Sequence, residues 1–124
     1  MLKLIIHIDE QSKWPQVCNN LNNLIKAKQN GTNIFIELIV TGKAVLNILL
    51  PSTNCQKVSS DYEDELFNTL KKSNQNGIDL MVCNNSLKEF NVNKLELCKY
   101  FKIVPVGLVE IAKKESQGYG YVKP

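Results

Sequence analysis

The residues best suited to chemistry lie in segment 78–86, an apolar run that ends in Cys83 and continues as Asn84 and Asn85. The run is typical of a buried strand, and the polar residues after it predict an immediate turn into a helix. Open α/β proteins place their binding groups at the carboxyl ends of strands, where helix N–H groups stabilise a thiolate nucleophile. The two asparagine amides could hydrogen-bond a sulfur anion or a substrate carbonyl. Alternatively, Cys83 is a small buried residue that fills the strand end.

The first predicted strand ends with His7, Asp9 and Glu10. In a parallel sheet this end meets the same edge as Cys83, so the three side chains could line the same crevice. His7 could then act as a base or proton relay near neutral pH. The alternative is a histidine satisfied by neighbouring backbone and acids that only begin a turn. Carboxylates here disfavour flavin or nucleotide binding, because the loop after the first strand of such sites cradles phosphate.

The four cysteines have to be judged one at a time, since no two form a C-x-x-C pair and the chain contains only one histidine. This pattern predicts no metal site and no disulfide framework. Cys18 and Cys98 lie on apolar helical faces and are expected in the core. Cys55 lies in a polar loop at 51–59, where it is either a spare thiol or a resolving thiol for Cys83.

Bulk composition excludes several classes of partner. The chain of 124 residues is predicted to be one domain, 1–124, and all 15 of its basic residues are dispersed lysines. Nucleic-acid readers concentrate positive charge and use arginine, so no nucleic acid is expected. No apolar stretch approaches the roughly 18 residues of a membrane span, and no signal peptide is visible at the N-terminus. We therefore expect a cytoplasmic protein without membrane contact, and no cofactor is predicted.

Strands and helices alternate along the whole chain. Strands are predicted at 1–9, 33–40, 78–83, 102–106 and 119–122, and helices at 12–29, 44–50, 60–76, 86–90, 93–101 and 107–117. This alternation predicts a parallel sheet covered by helices on both faces, a three-layer α/β/α sandwich. Glu37 interrupts the second strand, so it must be paired, protonated or exposed at a sheet edge.

Three serines are predicted to begin helices. Ser12 is a plausible N-cap, and Ser60 with Glu63 and Ser86 with Glu89 have the spacing of capping boxes. The last pair makes the two asparagines after Cys83 a connecting turn rather than part of a helix.

Three segments together resemble the small stand-alone members of the DsrE/DsrF-like (YchN-like) family. They are His7-Ile8-Asp9-Glu10 with Trp14-Pro15, then Val82-Cys83-Asn84-Asn85-Ser86-Leu87, and finally Ile103-Val104-Pro105-Val106-Gly107 with Gly118-Tyr119-Gly120-Tyr121. The resemblance implies a five-stranded parallel sheet and assembly into homo-oligomers, as trimers or hexamers. It also implies that Cys83 matches the cysteine that carries sulfur as a persulfide between donor and acceptor proteins in sulfur-relay members.

Two hypotheses follow from these observations. In the first, Cys83 accepts and passes on sulfane sulfur, with Asn84, Asn85 and the helix N-terminus stabilising the thiolate and His7 managing protons. In the second, an oligomer presents the same crevice to a small ligand or a protein without catalysis, and Cys83 only packs. A thiol-dependent hydrolase has less support, because it needs an oriented base and an oxyanion hole.

Overall fold

The structure of the protein is a computed structural model that describes residues 1–50 and 61–124, with side chains described from 65 onward in the second range. Its strands are β1 (Leu2–Ile8), β2 (Ile34–Val40), β3 (Asp79–Cys83), β4 (Lys102–Val104) and β5 (Gly120–Val122). Its α-helices are α1 (Trp14–Gln29), α2 (Asp61–Gln75), α3 (Asn84–Glu89) and α4 (Gly107–Ser116). Short 3-10 helices at Gln11–Lys13, Gly42–Ile48 and Lys94–Glu96 complete the described elements.

The five strands form one parallel sheet in the order β4-β3-β2-β1-β5. Helices cover both faces, so the predicted three-layer α/β/α sandwich with a five-stranded parallel sheet is confirmed. In the register, Ile8 pairs with Val40 and Val40 pairs with Val82. The three central strands therefore end level with one another, and the residues that follow them share one edge of the sheet.

The two faces of the sheet are packed very differently. One face carries the large core beneath α1 and α2, which includes the buried side chains of Trp14, Leu21, Leu38 and Leu70. Residues of the opposite parity in the strands point to the other face, where Ile5 and Ile39 pack against Ile111 of α4. We call this second surface the α4 face. Cys83 and Glu37 share its parity, so both lie beneath or beside α4.

Several local predictions are wrong at helix starts. The N-cap of α1 is Lys13 and not Ser12, and a 3-10 turn precedes it. The N-cap of α3 is Cys83, so Asn84 and Asn85 belong to the helix and Ser86 does not cap it. The reason is tertiary, because the Ser86 hydroxyl accepts a hydrogen bond from the Gly42 N–H at 2.8 Å. The segments predicted as short helices at 44–50 and 93–101 form 3-10 turns instead.

The remaining predictions fare as follows. Cys18 and Cys98 are buried, as expected of core thiols. Cys55 and Ser60 lie outside the described residues and the side chain of Glu63 is outside the described side chains, so the resolving thiol and this capping box stay predictions. Glu37 lies in the central strand β2, so the sheet-edge alternative is wrong and its described partner is Lys114 of α4. Among the helices that the structure describes, none combines the length and apolar character needed to cross a membrane.

Candidate functional site

Cys83 lies at the meeting point of two helix N-termini. It is the last residue of β3 and the N-cap of α3, and Gly107, the first residue of α4, donates its backbone N–H to Cys83 Sγ at 3.3 Å. Each helix directs unpaired N–H groups and the positive end of its dipole toward its N-terminus. The sulfur therefore sits where a negative charge is stabilised from two directions.

The surroundings of Cys83 favour its thiolate. Burial alone would raise the pKa of the thiol, but the backbone N–H and hydroxyl of Ser86 and the N–H groups of Gly107 and Asn85 outweigh it. The pKa of Cys83 consequently lies below its usual value. The Ser86 oxygen already accepts from Gly42, which leaves its hydroxyl proton free to point at sulfur. A lowered pKa of this kind is typical of reactive cysteines, whereas burial in apolar surroundings raises the pKa of structural ones.

Gly107 is required at its position by close contact. A Cβ added there would lie 2.6 Å from Thr41 Cγ2, which is a steric clash, and 3.2 Å from Cys83 Cβ, which is closer than an ordinary van der Waals contact. Only glycine lets the start of α4 approach the ends of β2 and β3 closely enough for its N–H to reach sulfur. Thr41, which follows β2, thus forms the wall beside the thiol.

Cys83 opens onto a cavity of about 400 Å³ at the carboxyl edge of the sheet. Its lining consists of His7, Asp9, Thr41, Gly42, Cys83, Asn85, Ser86, Glu89, Val106, Gly107 and Leu108. Four residues predicted from the sequence, Cys83, His7, Asp9 and Asn85, therefore come together. Glu10 is exposed and precedes the first 3-10 turn, outside this lining. Asn84 is also outside it, with its Oδ1 buried and without a hydrogen-bond partner in the described part of the chain.

His7 is held between two hydroxyl groups. Its Nδ1 lies 2.7 Å from Tyr121 Oη of β5, and its Nε2 lies 2.8 Å from Thr41 Oγ1. The predicted alternative, a histidine satisfied by neighbouring backbone, is therefore wrong. Burial lowers the pKa of His7, the Asp9 carboxylate opposes this, and Lys123 adds to the lowering. The net direction is downward, which favours the neutral imidazole.

The mouth of the cavity carries an ion pair. Asp9 Oδ2 and Lys123 Nζ lie 3.0 Å apart, and both side chains are partly exposed to solvent. Asp9 therefore does not act as an isolated carboxylate inside the cavity. No cluster of three or more histidine, cysteine, aspartate or glutamate side chains in the described ranges is arranged to hold a metal ion.

Sequence reasoning missed four residues of the site, namely Thr41, Ser86, Gly107 and Tyr121. The sequence pattern indicates only a strand end for Thr41, a helix cap for Ser86, a helix start for Gly107 and a short final strand for Tyr121. Each acts through a contact with a residue distant in the chain. The one local signal is that Thr41 directly follows β2. Pairing β2 with β3 then places Thr41 level with Cys83.

Fold and site together define a class, a parallel α/β sandwich with a stabilised cysteine at its carboxyl sheet edge. The family model of the DsrE/DsrF-like family matches residues 11–124. The chain belongs to this family, which is associated with sulfur relay. No curated protein sequence matches the chain.

Solved structures that are similar in fold include three that match over nearly their whole length. A protein of unknown function from Methanobacterium thermoautotrophicum, MTH1491, has a TM-score of 0.76 at 20% identity, with 100% of both chains covered. The ychN protein of E. coli has a TM-score of 0.72 at 16% identity, again over 100% of both chains. A conserved protein of unknown function from Bacteroides thetaiotaomicron, BT1422, has a TM-score of 0.63 at 16% identity, covering 98% of this chain and 94% of that one. At such identities the likeness is one of fold.

Proposed function

We propose that this protein handles sulfur, with Cys83 accepting a sulfane sulfur atom as a persulfide and passing it to an acceptor thiol. The observation that carries the proposal is the thiol of Cys83 with its lowered pKa, which receives the Gly107 N–H at 3.3 Å and faces an open cavity. The donor and the acceptor would be proteins or small thiols that reach this cavity. The reduced thiols that such a relay requires suit the cytoplasm.

The chemistry balances without an external oxidant. The Cys83 thiolate attacks the outer sulfur of a donor persulfide, R–S–SH, and a new S–S bond forms on Cys83. The donor S–S bond breaks with its electron pair on the inner sulfur, so R–S⁻ leaves and Cys83–S–SH remains. The N–H groups of Ser86 and Gly107 that stabilise the thiolate before attack also stabilise a deprotonated persulfide afterwards.

Mass spectrometry of the protein after exposure to a persulfide donor tests the proposal. We expect one added sulfur on the Cys83 peptide, discharged when an acceptor thiol is added. Cys83→Ser should abolish this adduct. Cys98→Ser is the matched control, because Cys98 is buried and burial raises its pKa. A normal load of transferable sulfur in Cys83→Ser, or adducts spread over all four cysteines, would contradict the proposal.

A second function, a non-catalytic binding module built from a homo-oligomer, is favoured by a different observation. Apolar residues at the start of α4 are exposed beside the cavity, Leu108 by 72% and Val109 by 57%. We propose that copies of the chain associate through this surface as trimers or hexamers. Leu108→Asp should then lower the mass measured by light scattering. If the cavity only binds a ligand, Cys83→Ala will leave the ligand-induced rise in melting temperature unchanged.

A further inference from the structure

Four neighbouring strands, or the residue directly after the strand, each contribute one polar side chain to a row that runs diagonally across the α4 face, since Tyr121 is level with Ile5 and His7 with Ile39. In spatial order these residues are Cys83 at the end of β3, Thr41 after β2, His7 in β1 and Tyr121 in β5. The last three are joined by hydrogen bonds of 2.8 Å and 2.7 Å through the two nitrogens of His7. The row crosses the sheet from the cavity to the β5 edge.

The two ends of this row face different surroundings. Thr41 lines the cavity, and its methyl group lies against the position of Gly107, whose N–H binds the sulfur. Tyr121 lies in an edge strand and is 41% exposed. His7 between them is 6% exposed. His7 also lines the cavity, so the series of hydroxyl, imidazole and hydroxyl connects the solvent at Tyr121 with the cavity wall at His7 and Thr41.

The donors and acceptors of these three side chains allow two hydrogen-bond arrangements. A neutral imidazole has one N–H donor and one acceptor, whereas each hydroxyl both donates and accepts. In one arrangement Tyr121 donates to Nδ1, Nε2 donates to Thr41, and the Thr41 hydroxyl proton points away from His7. In the other, Thr41 donates to Nε2 and Nδ1 donates to Tyr121. Passing from the first arrangement to the second delivers a proton from Thr41 to a group in the cavity. A water molecule then replaces the proton that Tyr121 has given up.

We propose that Tyr121, His7 and Thr41 form a proton relay that protonates the thiolate leaving the cavity when Cys83 forms a new S–S bond. The inference rests on the proposed function and specifies the ligand, a donor whose leaving group is a basic alkyl thiolate. In the balanced step, Cys83 Sγ bonds to one sulfur of the donor and the old S–S bond breaks with its electron pair on the leaving sulfur. That sulfur takes the Thr41 proton and departs as a neutral thiol.

Two uncharged disulfides with different leaving groups test the relay. Hydroxyethyl disulfide releases a basic alkyl thiolate, whereas dipyridyl disulfide releases a pyridinethiolate whose charge is delocalised onto the ring nitrogen, so its sulfur needs no proton to leave. The modification rate of the Cys83 peptide is followed by quenched mass spectrometry. For Tyr121→Phe and Thr41→Val we expect about tenfold slower reaction with the alkyl disulfide, less than the roughly 10²–10⁴-fold of a fully effective general acid because water in the open cavity can also protonate the leaving sulfur. The rate with dipyridyl disulfide should change less than about twofold.

Control variants and alternative outcomes separate the relay from the proposed function. Tyr119→Phe removes a neighbouring tyrosine hydroxyl that has no described bond to His7, and it should leave both rates unchanged. Equal slowing with both disulfides, or no slowing in either variant, would overturn the relay and leave sulfur transfer standing. The leaving-group effect without transfer from a persulfide donor would support the relay and contradict the proposed function. A wild-type Cys83 inert to all donors would overturn both.

Discussion

Cys83 and Glu37 are two buried ionisable groups on the same face of the sheet, and α4 lies against both of them. Cys83 lies at the carboxyl edge beneath the first residue of α4, whereas Glu37 lies within β2 near Lys114, at the other end of that helix. Cys83 is 6% exposed and Glu37 is 0% exposed. Nevertheless the pKa of Cys83 is lowered, which favours its anion, whereas the pKa of Glu37 is raised, which disfavours its anion.

The difference lies in the hydrogen-bond donors that each anion meets. At Cys83, N–H groups and a hydroxyl overcome burial. Neither carboxylate oxygen of Glu37 has a hydrogen-bond partner among the described residues, and Lys114 Nζ is 3.5 Å from one of them. Burial and then the nearby Glu110 raise the pKa of Glu37 to about 7, against the opposing effect of Lys114. Burial disfavours both anions, and the hydrogen-bond donors around each group decide whether its pKa is lowered or raised.

Replacing the carboxyl group of Glu37 should have the largest effect on stability. The folded protein retains the Glu37 proton between pH 4.5 and about 7, where the unfolded chain has lost it, so stability falls as pH rises through this window. The stability of Glu37→Gln should not fall in this way, because glutamine does not ionise. Chemical denaturation should show that the stability of the variant relative to the wild type rises by on the order of 3 kcal/mol across this window. A difference between the two proteins that does not vary with pH would show that Glu37 is ionised throughout.

Gly107→Ala should damage the Cys83 end. The new Cβ would collide with Thr41 and Cys83, which pushes the start of α4 away from the sulfur. We expect a loss of about 1–3 kcal/mol in unfolding free energy, typical of overpacking, together with a higher Cys83 pKa. The pH dependence of alkylation at Cys83 measures that pKa. Gly120→Ala is the control, because a Cβ there meets only Lys3 O at 3.7 Å, so an equal pKa change in both variants would contradict the argument.

Ser86→Ala should act on the same thiolate with a smaller cost in stability. It removes a hydroxyl that lowers the pKa of Cys83 and leaves the Gly42 N–H without its acceptor. We expect about 1 kcal/mol of destabilisation and slower alkylation of Cys83 at neutral pH. Ser116→Ala, at the exposed end of α4, serves as the control. Unchanged alkylation in Ser86→Ala would assign thiolate stabilisation to the backbone alone.

Lys123→Ala should have the smallest effect on stability. Its ion pair with Asp9 lies at the surface, where solvent screens the attraction. We expect the denaturation midpoint of Lys123→Ala to equal that of the wild type, measured in the same experiment as the other variants. The Lys123 charge also contributes to lowering the pKa of His7, so that pKa should rise slightly, as followed by NMR titration of the imidazole. A clear shift in the midpoint would show that this pair holds β5 in place.

The fold was predictable from the sequence because it follows from local pattern. Apolar runs alternating with helical spacing indicate parallel strands covered by helices, and the structure confirms that arrangement. The carboxyl-edge position of Cys83, His7 and Asp9 follows from the same reasoning, since parallel strands end together. Capping was predicted less well, because Ser86 bonds to Gly42 rather than to its own helix.

The sequence by itself determined which residues end the strands, and therefore that a cysteine, a histidine and an aspartate meet at one edge. Tertiary structure alone decided what surrounds them. Gly107 reaches Cys83 from 24 positions away, and Tyr121 reaches His7 from 114 positions away. Periodicity reports on neighbours within a few residues, whereas contacts of this range depend on strand order and on how α4 packs. The charge state of Cys83 and the hydroxyl groups that hold His7 are properties of the folded chain.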